Sequence, residues 1–517
     1  MTTRNVRVRF APSPTGGLHL GGVRTALFNY LFAKQQGGTF VLRIEDTDQT
    51  RFVSGAEQYI IDCLAWCGIS PDEGPHAAGS FGPYRQSERK VNYRKYAEML
   101  VAKGFAYYAF DTPEELEKMR EEYKSDTNPS PQYNSKLRMQ LKNSLSLDKE
   151  TVDDLLVKNT PHVIRIKMPL NVEVKLNDLI RGEVVFNTDQ VDDKVLLKAD
   201  GMPTYHLAVV VDDYEMQITH AFRGEEWLPS APVHILLWKY LFGLNHMPQW
   251  AHLPLILKPE GHGKLSKRDG ERLGFPVFAM DWMDPNTKEQ TIGFKERGFL
   301  PEALINLLAL LGWNDGTDKE IFSIDELIAQ FSLERVHKGG AKFDYEKAKW
   351  FNQEWIKRTS NDQLASLVKP FYDDAQIEVH EPAYLVKVIG LIKDRCHLLT
   401  DFITQGSFFF KAPTEIDTAS ILTKWEEKKQ AFFAALTEAY AEMINNGDTH
   451  PIAADLEIHF KALAATHEIK PGDLMLPFRI MLVGGKFGPG VFDIIQAIEL
   501  KDAKERIEYS LKILSNK

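Results

Sequence analysis

Apolar and polar positions along the first hundred residues switch between two periods. Val6, Val8 and Phe10 alternate with polar neighbours, the pattern of a half-buried strand. From Val23 to Lys34 the apolar residues Val23, Ala26, Leu27, Tyr30, Leu31 and Ala33 recur at the spacing of one helix face. A second strand is predicted over 39–44 and an amphipathic helix over 56–67. A further helix opens at Tyr84 to Arg89 and runs to about Lys103. From about Phe105 to Asp200 the pattern becomes hairpin-like and poor in helix. It holds a charged helix over 113–124, a turn-rich Asp126-Thr127-Asn128-Pro129-Ser130-Pro131, and strand-like pieces at 162–168, 172–176, 178–186 and 195–198. This reads as an insertion between two halves of a βαβ domain. The second half resumes with 203–213, a strand at 217–222, a helix from about 229 to 242 and a strand at 252–257. Beyond about Phe299 the chain is almost wholly helical (301–312, 324–331, 345–356, then successive helices to Lys517), with no repeat of 20–50 residues.

Length and composition narrow the class. A chain of 517 residues exceeds one hydrophobic core, so several domains are expected. With 44% hydrophobic and 26% charged residues the composition is that of an ordinary globular protein. The opening Met1-Thr2-Thr3-Arg4 runs straight into a strand rather than a signal peptide, and no apolar stretch is long enough for a bilayer. A cytoplasmic protein with no membrane partner is expected. Three cysteines make no disulfide framework, and Cys63 and Cys67, four apart on an apolar helix, suit a buried core better than a metal site. The net charge is −10, and residues 359–517 carry 17 Lys and Arg against 23 Asp and Glu. Any polyanion must therefore meet local clusters of basic residues.

Three stretches carry candidate chemistry. The first, Arg9 to Gly22, joins the opening strand to the first helix and contains His19, Gly21 and Gly22. Amide N–H groups facing outward at a helix N-terminus would favour an anion, the glycines would let a nucleotide lie close, and His19 could donate to a phosphate. It is not a Walker loop: no Gly-x-x-x-x-Gly-Lys-Ser/Thr occurs in the chain. The second is Glu45-Asp46-Thr47-Asp48 at the carboxyl end of the second strand, where ligands bind in open α/β sheets. The third is Lys264-Leu265-Ser266-Lys267-Arg268, a cationic loop able to neutralise a triphosphate.

In this order, His19-Leu20-Gly21-Gly22 and Lys264-Leu265-Ser266-Lys267-Arg268 resemble the two signatures of class I aminoacyl-tRNA synthetases, usually written HIGH and KMSKS. Arg9 to Gly16, Arg43 to Asp48, Gly82 to Arg89, Pro203 to Ala208, Glu225-Glu226-Trp227 and Pro489 to Ile494 are similar to the bacterial glutamyl-tRNA synthetases. The resemblance covers the whole length. It implies an α/β fold: a class I Rossmann-type catalytic domain with an α+β insertion, a stem-contact domain and an all-α C-terminal anticodon-binding region. The implied boundaries are 1–104 and 201–250 for the Rossmann halves and 105–200 for the acceptor-binding insertion. A stem-contact domain at 251–357 and helical subdomains at 358–415 and 416–517 complete the chain.

The resemblance also implies the reaction. ATP and Mg²⁺ activate L-glutamate to glutamyl-adenylate, and the glutamyl group passes to the 3′-terminal adenosine of tRNA(Glu). His19, Lys264 and Lys267 are the implied catalytic residues, each contributing about 3–4 kcal/mol by analogy with oxyanion donors. His19, Gly21, Gly22, Trp227, Leu265 and Lys267 are implied to hold ATP. Arg9, Ala11, Ser13, Glu45, Tyr205 and Arg223 are implied to hold glutamate, Glu45 on the ammonium and the arginines on the carboxylates, where a guanidinium separates glutamate from glutamine. Asp48 is implied near the tRNA end and Arg395 at the third anticodon base, which favours an enzyme that charges tRNA(Glu) alone. A monomer is expected.

Two positions depart from the family pattern. Val209 stands where the family usually has Asn, and Ala109, Asp111, Leu137 and Met139 stand where some members carry zinc ligands, so no structural zinc is expected. Alternatives are a non-discriminating enzyme that also charges tRNA(Gln), a small-molecule adenylate or nucleotidyl transferase, and a non-catalytic tRNA-binding protein.

Overall fold

A computed structural model describes residues 5–126 and 128–515 of the chain. Met1 to Arg4, on which the signal-peptide reading rests, Thr127 in the turn-rich segment, and Asn516 and Lys517, to which the sequence reading extends the last helix, lie outside them. The chain forms two compact units, one of Met1–Glu296 with Leu304–Tyr345 and one of Arg297–Ala303 with Glu346–Lys517.

The first unit is built on β1 (Arg7–Phe10), α1 (Leu20–Gln35), β2 (Thr39–Leu42), α2 (Ala56–Trp66) and α3 (Lys90–Ala102). The insertion follows, with β3 (Ala106–Ala109), α4 (Pro113–Glu122), α5 (Lys149–Val157), β4 (Val163–Ile166), β5 (Glu173–Asp178), β6 (Gly182–Asn187) and β7 (Val195–Leu197). Then come α6 (Tyr205–Glu215), β8 (His220–Gly224), α7 (Ala231–Leu241), β9 (Gln249–Leu253), β10 (Ile256–Leu257) and α8 (Lys267–Leu273). Strands β2, β1, β8 and β9 form a parallel sheet in that order, with Arg7 opposite Thr39 and Arg223 opposite His252. All four carboxyl ends therefore open on one edge, with β1 and β8 adjacent where the chain order reverses, the place where open α/β sheets bind ligands. Val8, Phe40, Leu20, Val23, Leu27 and Leu31 are fully buried, so α1 and the strands share one apolar interior.

The insertion has its own antiparallel sheet of β3, β4 and β7, and a hairpin of β5 and β6. The sequence reads 178–186 as one strand; instead Leu179 to Arg181 turn the hairpin. Asp178 accepts from the N–H groups of Ile180 and Arg181 at 3.0 Å, and Gly182 takes φ +78°. Side-chain capping of this kind competes with the ladder and ends it. The strand expected over 252–257 is likewise two, because Pro254 removes a donor: β9 ends at Leu253, and β10 pairs with Ala341–Lys342.

The second unit is helical, including Asn361–Asp374, Pro382–Ile392, Glu427–Asn445, Ala453–Thr466, Pro471–Val483, Val491–Ile498 and Leu500–Ser515. Pro382 and Pro471 start their helices at a position where no N–H is needed. Gly484, at φ +84°, stops the helix before it, and a Cβ there would sit 2.7 Å from the Glu415 carbonyl oxygen. Phe432, Phe460 and Phe478 are fully buried and meet ring to ring at 5.1 Å.

Candidate active site

The carboxyl edge of the parallel sheet opens into a cavity of about 1230 Å³. Arg9, Ala11, Ser13, His19, Gly21, Gly22, Glu45, Asp48, Tyr205, Arg223, Trp227, Lys264 and Leu265 all line it, although they come from stretches more than 250 residues apart. Lys267 does not, and Arg395 belongs to the helical unit.

The opening turn works differently from its sequence reading. The first-turn amides of α1 do not face outward. Leu20 N–H donates to the Val277 carbonyl (3.0 Å), Gly22 and Val23 to the His19 carbonyl (2.8 and 3.2 Å), and Gly21 to His19 Nδ1 (3.4 Å). His19 is the N-cap, and the group it leaves over is Nε2, which is buried without a partner. Because Nδ1 accepts, the proton sits on Nε2 and is available to a ligand. Burial, then the nearby Lys264, lowers the His19 pKa to about 4, so the ring is neutral at pH 7. The glycines also differ in their surroundings. A Cβ on Gly21 would meet only His19 Nδ1, at 4.0 Å, whereas one on Gly22 would strike Leu18 Cδ1 at 2.7 Å. Both glycines line the cavity, with open space around Gly21 and the Leu18 side chain against Gly22.

The cationic loop is tethered at its start by Leu265 N–H to the Ile256 carbonyl (2.9 Å) and closed by a capping box between Ser266 and Asp269. Lys264 Nζ pairs with Glu226 Oε1 at 2.5 Å. Lys267 opens α8 and pairs with Glu289 at 2.8 Å and Glu271 at 3.6 Å, which turns it away from the cavity. Glu226, quoted within a motif but given no role from sequence, thus holds the first lysine, and Glu289 the second.

Below the cavity lies a buried charge network. Asp213 accepts from Arg9 Nε (3.1 Å) and Arg43 Nη1 (2.7 Å), and Glu45 accepts from Arg43 Nη2 (3.0 Å). Burial raises the Glu45 pKa, opposed by Arg43 and Arg9. Arg9 Nη1 donates to the Phe222 carbonyl at 3.1 Å, and its Nη2 makes no hydrogen bond among the described residues. Arg223 is held by Tyr205 Oη and by His252 and His234, with its Nη2 buried and unpartnered. Trp227, half exposed, tilts against Tyr205 at 4.7 Å. Asp48 accepts from Thr50 and Arg51 at the rim, hydrogen bonds that lower its pKa to about 2. Val209 is buried in the apolar interior of α6 and does not line the cavity. Arg24, which sequence reading passed over, also lines it and ties α1 to the carbonyls of Leu311 and Pro254.

In the other unit Arg395 is exposed on a single turn, Lys393–Arg395. It stands near Arg479, whose pKa is lowered by burial and then by Arg395.

Among the described residues no three His, Cys, Asp or Glu side chains converge as a metal site, and no helix is long and apolar enough to cross a membrane.

Comparison with known proteins agrees with this geometry. The family described as tRNA synthetases class I (E and Q), catalytic domain, matches residues 5–350, and an anticodon binding domain matches 363–511. A glutamate–tRNA ligase of Cytophaga hutchinsonii is 49% identical over 517 residues, covering 100% of this chain and 99% of its own. One from Christiangramia forsetii is 51% identical over 509 residues, covering 98% and 99%. The crystal structure of a glutamate tRNA ligase from Elizabethkingia meningosepticum in complex with its amino acid superposes with a TM-score of 0.93 at 46% identity, over 98% of this chain and 99% of that one. With identity near one half along whole chains and the matching fold, the chain belongs to the glutamate–tRNA ligases, class I tRNA synthetases that carry an anticodon-binding domain.

Proposed function

We propose that the cavity binds L-glutamate against Arg9, Arg223, Tyr205, Ser13, Ala11 and Glu45, and ATP against His19, Gly21, Trp227 and Leu265. The observation that carries this reading is that two residues lining the cavity keep buried, unpartnered donors, His19 Nε2 and Arg223 Nη2. An unsatisfied buried donor costs ~1–3 kcal/mol, a cost that an anionic ligand removes. Arg223 meets the side-chain carboxylate and Arg9 the α-carboxylate; Glu45 takes the ammonium.

The α-carboxylate of glutamate attacks the α-phosphorus of ATP, the new C–O–P bond forms, and pyrophosphate leaves. Charge grows on phosphate oxygens, so His19 Nε2–H and the Lys264 ammonium stabilise the transition state by position and field, without proton transfer. Lys264 first exchanges Glu226 for the triphosphate, and Lys267 joins after leaving Glu289. Magnesium bound to the nucleotide would supply positive charge against its phosphates; among the described residues no three His, Cys, Asp or Glu side chains converge to hold it. A ribose hydroxyl of the terminal tRNA adenosine then attacks the activated carbonyl and releases AMP, with Asp48 at the rim on the tRNA side.

The exposed Arg395 beside Arg479 supports reading of the third anticodon base and charging of tRNA(Glu) alone. We infer a monomer, with the domain boundaries given above. The test is to charge total tRNA with glutamate and ATP, separate the products on acid gels and probe both acceptors. Charging of the glutamate acceptor alone is expected. Charging of both removes the role of Arg395, and charging of neither refutes the assignment of the cavity.

A further inference from the structure

Among the buried arginines of its unit, Arg24 and Arg165 donate to backbone carbonyls, four others pair with carboxylates, and Arg223 is held by neutral side chains. Arg9 pairs with Asp213, Arg43 with Asp213 and Glu45, Arg89 with Asp212, and Arg138 with Asp193. Among the described residues no carboxylate pairs with Arg223. Its Nε donates to His252 Nε2 at 3.0 Å, and its Nη1 lies 3.2 Å from Tyr205 Oη and 3.1 Å from His234 Nδ1. The Trp250 ring lies 4.4 Å from the guanidinium carbon.

Donor chemistry fixes the protons. A guanidinium can only donate, so His252 Nε2 and His234 Nδ1 must both present lone pairs. His252 then carries its proton on Nδ1, which faces Asp178 Oδ2 at 2.5 Å. Asp178 is itself fixed by the backbone N–H groups of Ile180, Arg181 and His252. His234 carries its proton on Nε2, which faces His206 Nδ1 at 3.1 Å. Burial lowers the pKa of both imidazoles, and for His252 the Asp178 carboxylate only partly opposes this.

Two neutral acceptors have an effect that carboxylates could not have. They satisfy and orient two of the three guanidinium nitrogens, Nε and Nη1, without cancelling its charge. The positive charge stays buried, aimed and uncompensated, with Nη2 left over for a ligand. Such a site demands an anion and penalises a neutral isostere, because only the anion supplies the missing countercharge.

We propose that His252 and His234 are positioning residues that aim Arg223 while leaving its charge for the side-chain carboxylate of glutamate, and that Asp178 fixes the His252 tautomer. This rests on the reading of Arg223 as a glutamate ligand. The test compares two near-isosteric replacements in the full-length enzyme. His252→Gln keeps a neutral acceptor near the Nε2 position; His252→Glu puts a carboxylate there. Steady-state charging of tRNA gives KM for glutamate, KM for ATP and inhibition by glutamine. The new carboxylate repels a ligand carboxylate roughly 6 Å away, which at an effective dielectric near 20 raises KM for glutamate on the order of 100-fold. The glutamine variant should raise it only several-fold, with KM for ATP steady in both and glutamate–glutamine discrimination collapsing only in His252→Glu. Equal effects in the two variants would overturn the proposal.

Arg223→Ala separates the two levels of the argument. If it leaves KM for glutamate unchanged, the ligand assignment itself fails, whatever the histidines do. A second measurement needs no altered fold. In ¹⁵N-histidine-labelled enzyme, with signals assigned by their loss in His252→Gln and His234→Gln, both rings should be neutral from pH 6 to 8. An imidazolium at either position at pH 7 would overturn the proposal equally.

Discussion

Replacing His19 separates its two nitrogens, because asparagine and glutamine each reproduce one of them. In His19→Asn the side-chain oxygen sits near the Nδ1 position and can accept from Gly21 N–H, a bond that is 3.4 Å long in the native turn. Asparagine is among the best N-caps, so stability should change by less than about 0.5 kcal/mol. The buried Nε2–H, however, is lost. If it meets the α-phosphate or the leaving pyrophosphate, its removal should lower the chemical rate by about 10²–10³-fold, the ~2.7–4 kcal/mol typical of one oxyanion donor. In His19→Gln the far nitrogen is kept and the cap is lost. The rate should then fall only about tenfold, while stability falls by ~0.5–1 kcal/mol. The assay is single-turnover charging of tRNA at saturating glutamate and ATP, so that product release does not mask chemistry, with thermal unfolding alongside. A His19→Asn enzyme of native rate would refute the assignment of Nε2. So would a limb in the native rate profile between pH 6 and 8 that disappears in His19→Gln, because a ring with a pKa of about 4 is already neutral throughout that range.

Asp213→Asn removes the carboxylate shared by Arg9 and Arg43; the loss should be about 3–5 kcal/mol, read as an earlier urea transition of the unit that carries the cavity. Gly22→Ala should cost ~1–3 kcal/mol through its clash with Leu18, whereas Gly21→Ala should leave stability near native and raise KM for ATP. Acid should destabilise the same unit through His19 and His206, whose pKa values are lowered to about 4, chiefly by burial. The unfolded chain takes up these protons near pH 6.5 and the folded one does not. The stability is therefore complete above about pH 6.5 and falls with pH down to about 4, by roughly 2 kcal/mol per histidine between pH 6.5 and 5. His206→Gln should flatten the slope of urea midpoint against pH; an unchanged slope would show that His206 contributes nothing.

Most of the catalytic scaffold is legible in sequence because the two hydrophobic periods are strong in it. The strands at 7–10 and 39–42 and the helices at 20–35 and 56–66 fall within a few residues of their patterns. The pattern misleads where one side chain or one proline overrides it, as Asp178 does by capping the turn after β5 and Pro254 by dividing 252–257. The motifs named most of the cavity wall. They could not reveal that His19 consumes the amide of Gly21, because the ring direction depends on α1 docking against Val277. Nor could they reveal His252 and His234. Each is a single histidine in an apolar run, and what it does depends on the β8–β9 register and on α7 packing beneath. Glu226 and Glu289 were hidden likewise, since the lysines they hold lie 38 and 22 residues away.

The hairpin of β5 and β6 belongs to the insertion by chain order, yet Asp178 at its turn bonds His252 of β9, and Leu179 N–H donates to the Trp250 carbonyl. Modular architecture therefore has a hidden seam in this enzyme. Residues 105–200 cannot be exchanged or trimmed as a detachable cassette, because one end of the support beneath Arg223 would leave with them. A graft that moves the cut sites inward, keeping 173–187 with the parallel sheet, respects the joint that the physical contacts define rather than the one drawn by the order of residues.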